Sequence, residues 1–103
     1  SRLASFIDAG GHGVICASAN VIAAELMKLM NLKAAEREVQ QARITRLEAV
    51  LDACGFVQGP KTVLARRYDE PNWRRVRPPL EPLPQDRAER LLDAWEKERT
   101  AGY

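Results

Sequence analysis

The chain has 103 residues, 46% hydrophobic and 29% charged, with a formal net charge of +2, which fits one globular domain built on a single core. No apolar run approaches the roughly 20 residues of a membrane-spanning helix, and Ser1-Arg2-Leu3 lacks the charged-then-apolar layout of a secretion signal. Two cysteines and one histidine, widely scattered, cannot supply the four closely spaced ligands of a structural zinc site.

In chain order, Leu3, Phe6 and Ile7 fall at helical spacing and predict a short first helix, stopped by Gly10-Gly11. The stretch Gly10-Gly11-His12-Gly13 has neither the Gly-Lys-Ser/Thr ending of a phosphate loop nor dinucleotide glycine spacing, and reads as a turn. Val14-Ile15-Cys16 reads as a short extended piece. Ser18 or Asn20 is the expected cap of a second helix whose stripe is Val21, Ile22, Leu26, Leu29 and Met30, closed by Asn31. The strongest periodicity runs from Ala34 to Cys54. Ile44, Leu47, Leu51 and Cys54 step by three, four and three, Val39, Ala42 and Val50 widen the stripe, and Gly55 stands at the expected helix stop. Cys16 and Cys54 sit in apolar runs and read as small buried hydrophobes, as in a reducing, cytoplasmic compartment.

After Gly55 the pattern changes. Lys61 to Tyr68 contains the β-prone residues Thr62, Val63, Leu64 and Tyr68, Asp69-Glu70-Pro71-Asn72 is rich in turn formers, and Trp73 to Arg77 alternates imperfectly between apolar and basic side chains. The expectation is a β-hairpin. Four of the six prolines fall between Pro78 and Pro84, predicting a stiff extended linker. A last helix follows over Gln85 to Arg99, with Ala88, Leu91, Leu92 and Trp95 on one face and an Asp86–Glu89 pair like a capping box. The expected fold is therefore mostly α with a small β-hairpin. It amounts to a winged helix-turn-helix over residues 1–77, a proline-rich linker over 78–84 and a C-terminal helix over 85–103.

Charge is unevenly spread along this framework. Residues 61–77 hold six basic and two acidic side chains, whereas residues 78–103 hold four basic and six acidic. The small total hides a local basic segment, which points to an anionic partner.

The run Arg46-Leu47-Glu48-Ala49-Val50-Leu51-Asp52-Ala53-Cys54-Gly55-Phe56, then Lys61 and Trp73-Arg74-Arg75-Val76-Arg77-Pro78, resembles the C-terminal tails of phage and plasmid replication proteins. The family meant is that of virulence-associated-protein-E-like and primase–helicase ATPases. The resemblance spans about residues 18–78 and implies an accessory DNA-binding module of a larger protein, in keeping with a sequence that starts at Ser rather than Met. The Gly59-Pro60 pair and the acidic Asp69-Glu70 depart from a simple basic wing.

The functional expectation is DNA binding, with the long helix in the major groove and the hairpin on phosphates. Arg37, Gln40, Gln41, Arg43 and Arg46 are suited to base edges, and Lys61, Arg66, Arg67, Arg74, Arg75 and Arg77 to phosphates. Trp73 and Tyr68 could stack on an unpaired base, although hairpin aromatics more often pack on helices. The second reading is an adaptor that docks a protein through Leu91 and Trp95 of its C-terminal arm. No nucleophile–base pair, metal set or cofactor motif appears, so no catalytic residue, metal or cofactor is expected.

Overall fold

The computed structural model describes residues 1–101, whose helices are α1 (Leu3–Asp8), α2 (Ala19–Asn31), α3 (Ala34–Asp52), α4 (Gln58–Arg67) and α5 (Gln85–Thr100), with a 3-10 turn at Pro71–Arg74. Among the described residues there is no β-strand, so the expected hairpin wing, and with it the winged helix, is overturned.

α3 is the axis of the bundle. Ile44, Leu47 and Leu51 are sealed from solvent, because their spacing places them on one line of the helix. Against that line pack Leu3 from α1, Val21, Ile22, Leu26 and Leu29 from α2, Val63 and Leu64 from α4, and Trp95 from α5. α5 therefore shares the core of the preceding helices. The segment before it is also anchored, since Leu83 is buried with Ala88 and Leu91. Gly55 adopts φ 94° just after α3, where only glycine is free of Cβ strain. The Asp86–Glu89 pair forms no capping box: Pro84 stands at the N-cap of α5 with no side-chain cap bond, and Asp86 pairs with Arg90 at 3.3 Å instead.

The stretch expected as a strand is helical for identifiable reasons. Pro60 sits in the first turn of α4, where its missing N–H is not needed. Pro60, Val63 and Leu64 share a helical face, and that face is buried. The Thr62 hydroxyl donates to the Gln58 carbonyl at 2.7 Å, which satisfies the buried Thr62 side chain inside a helix. Packing thus outweighs the modest β preference of Thr62 and Val63. The supposed hairpin turn is a helix stop. Asp69 takes φ 51°, Glu70 N–H donates to the Ala65 carbonyl at 3.0 Å, and Asp69 N–H donates to that of Arg66 at 3.3 Å. That double bond pattern is a Schellman ending. Glu70 then caps the 3-10 turn by accepting from Asn72 N–H at 3.0 Å.

Candidate nucleic-acid interface

The two sets of candidate residues meet different fates. On α3, the side chains suited to reading bases tie helices together. Arg37 donates to Asp8 at 2.6 Å. Gln40 is buried and donates to both the carbonyl and the carboxylate of Glu25, at 3.0 and 2.8 Å. Gln41 accepts from Ala4 N–H at 2.9 Å and donates to the Ser1 carbonyl at 3.1 Å. Arg43 reaches Glu25 at 3.3 Å and the Arg99 carbonyl at 3.1 Å, and Arg46 pairs with Glu98 at 3.2 Å. These five point to three different neighbours, namely α1, α2 and α5, and form no common outward face.

Glu25 is the hub of this network. Burial pushes its carboxyl pKa up, but hydrogen bonds from Gln40 and Arg43, with the charges of Arg43 and Lys28, outweigh that and hold it below its ordinary value. A second polar contact, which spacing did not reveal, lies in the interior. Ser18 donates to the buried Glu48 at 2.7 Å, so the expected cap of α2 makes no cap bond and serves α3 instead.

The second set, residues 61–77, divides by structural context. Lys61 donates to the Arg75 carbonyl, Arg67 to the Val21 carbonyl at 3.1 Å, and Arg74 to the Leu83 carbonyl and Gln85 side chain at 2.8 and 2.9 Å. Lys61 thus ties α4 to the segment that follows it, Arg67 ties α4 to α2, and Arg74 ties the 3-10 turn to the start of α5. Arg66, Arg75 and Arg77 are exposed and make no ion pair among the described residues. Between them in sequence stand Tyr68 and Trp73, 60% and 42% exposed, with ring centroids 6.3 Å apart and planes at 31°. The expectation that these rings pack onto helices is corrected: the helix stop at Asp69 and the 3-10 turn present both to solvent.

Arg66 and Arg67 also border a cleft of about 380 Å³ between α4 and α5, floored by Val63, Leu92 and Trp95. Arg99 joins them there with its ion-pair partner Glu96. Sequence reasoning missed Arg99 because it belongs to a net acidic segment, and only the packing of α5 on α4 brings it to the cleft. Leu91 and Trp95, the expected partner contacts, are 4% and 5% exposed and belong to the core. Cys16 and Cys54 are free and half-buried. Among the described residues no helix is long and apolar enough to cross a membrane.

No protein-family model matches this chain, and neither does any curated protein or solved structure.

Proposed function

We propose that this chain is a single-stranded DNA-binding module whose contact surface is the end of α4 and the segment through Arg77. The observation that carries the reading is the solvent-exposed Tyr68–Trp73 ring pair, flanked in sequence by the exposed Arg66 on one side and by Arg75 and Arg77 on the other. Two aromatic rings exposed side by side make a contiguous apolar patch, and such patches rimmed by polar groups mark binding surfaces. Unpaired bases offer π-faces to such rings, while guanidiniums hold the flanking phosphates. A duplex would satisfy the arginines but offers no free base face to the rings, so the single strand is preferred. The resemblance to replication-protein tails supplies a setting, because a replication fork exposes single strands.

The test is fluorescence anisotropy at low salt with labelled single-stranded and duplex probes. Single-stranded DNA is expected to bind more tightly than duplex. The triple substitution Arg66→Ala, Arg75→Ala and Arg77→Ala is expected to weaken binding and lower the slope of log K against log salt by about 2, at roughly 0.7 for each phosphate that is no longer neutralised. Unchanged affinity with an unchanged slope sinks the reading.

A further inference from the structure

On the face of α3 turned away from the core, Ala35, Val39, Ala42, Arg46, Ala49 and Ala53 follow at steps of four, three, four, three and four residues. That is the spacing of a coiled-coil seam. Apart from Arg46 these residues are all exposed, Val39 at 65%. At the C-terminal end of α3 the seam opens into an apolar groove of about 410 Å³. Ala49, Val50, Ala53 and Cys54 form one wall, and Leu91 and Ala94 of α5 the other. Arg87 and Arg90 stand at its edge, Arg90 beside Asp86 at 3.3 Å, and no carboxylate among the described residues lines the groove. The Arg87 guanidinium reaches only the Cys54 sulfur, at 3.9 Å, and forms no ion pair among the described residues.

What the groove lacks stands at the other end of the same helix, where exposed Glu36 lies in the first turn of α3 and exposed Val39 follows it. The geometry points to a second copy of this chain as the occupant, with α3 packed antiparallel on its counterpart about a two-fold axis. With Ala35 set opposite Ala53 of the second copy, Val39 falls opposite Ala49 and so over the apolar groove. The same register brings Glu36 beside Arg87 and Arg90. The two-fold makes each of these contacts twice. Alanine at most seam positions lets the two backbones approach closely. Arg46, drawn toward Glu98, lays its aliphatic stem beside Ala42 of the other copy. The chain thus carries both halves of a complementary surface, a knob with an acid and a groove with two arginines. A foreign helix seated in the groove alone would leave Val39 uncovered.

Sedimentation equilibrium of the 103-residue chain tests this. The wild type is expected to show a concentration-dependent monomer–dimer equilibrium. Val39→Glu, Glu36→Arg and the pair Arg87→Glu/Arg90→Glu should each weaken it about tenfold or more, with helical circular dichroism unchanged because all four positions are exposed. Mixing the Glu36→Arg chain with the Arg87→Glu/Arg90→Glu chain should restore dimers, since the mixed pair regains opposite charges at both contacts, one reversed and one as in the wild type, whereas either variant alone sets like charges together at both. A wild type that stays monomeric overturns the proposal. So does a dimer indifferent to Val39→Glu, or a mixture no better associated than either variant alone.

Discussion

Gly59 packs directly against the backbone of Leu51: a Cβ on Gly59 would stand 1.9 Å from the Leu51 carbonyl oxygen. This approach lets the first turn of α4 close onto the last turn of α3. The obstacle is backbone rather than a flexible side chain, so Gly59→Ala can be accommodated only by moving one helix off the other. The expected cost is about 2–4 kcal/mol, read as a lower urea midpoint. A loss below about 0.5 kcal/mol, the size of an ordinary surface substitution, would mean that the two helices are not held this closely.

The same glycine explains why part of the fold was legible and part was not. The stripes of α2, α3 and α5 repeat over three or more turns, and each repeat reinforces the assignment, so Leu26, Leu47 and Leu91 fall inside as expected. Val39 and Ala42, expected to widen the α3 stripe, are instead exposed on the face away from the core. α4 has only 10 residues, and its helical face begins at Pro60. A Gly-Pro pair followed by Thr-Val ordinarily marks a turn entering a strand. What makes it a helix is the Leu51 backbone, whose proximity no local pattern encodes. Exposure alternates from Trp73 to Arg77, but not as the apolar–basic pattern predicts: Trp73 is exposed and Arg74 half-buried, with Val76 less exposed than Arg75 and Arg77. This stretch pairs with nothing, because the preceding segment is helical.

The candidate site was legible in residue type and not in role. Gln40 and Arg43 suit a base-reading face by their chemistry, yet both converge on Glu25. Their partner lies 15 and 18 residues back, beyond any spacing rule. That network predicts an acid-dependent stability. Glu25 is held below its ordinary pKa of 4.5, so the folded state binds its proton less readily than the unfolded chain does. The contribution is complete above that ordinary value and is lost as pH falls through the lower folded-state value. Thermal melts of wild type and Glu25→Gln should therefore differ most near neutral pH and converge in acid. A constant offset across the acid range would place the effect elsewhere.

Tyr68 and Trp73 allow the stacking contribution to be separated from the ionic one. Trp95 is buried and Trp73 exposed, so added single-stranded DNA should quench Trp73 emission while leaving Trp95 largely silent. Tyr68→Ala and Trp73→Ala should each cost about 1–3 kcal/mol of single-strand affinity. Neither should change the salt slope, because every phosphate keeps its arginine. A slope that falls with the aromatic substitutions, or emission indifferent to DNA, would argue that these rings do not meet bases.

Trp95 sets what can be removed from the chain. It joins the main core cluster with Leu3, Leu29 and Leu51, although it follows a proline-rich stretch that suggests a detachable arm. Trp95→Ala should cost about 3–5 kcal/mol, the range for deleting a buried aromatic side chain. Removing residues 79–103 takes away α5 and Leu83 together and uncovers the apolar faces of α3 and α4. The shortened chain is expected to lose cooperative unfolding. For that reason Leu91 and Trp95 cannot be assessed as partner contacts by deletion, since loss of binding would follow from loss of the fold. Urea unfolding followed by circular dichroism decides the matter: a cooperative transition of near wild-type midpoint in the shortened chain would show that α5 is an appendage rather than a wall of the core.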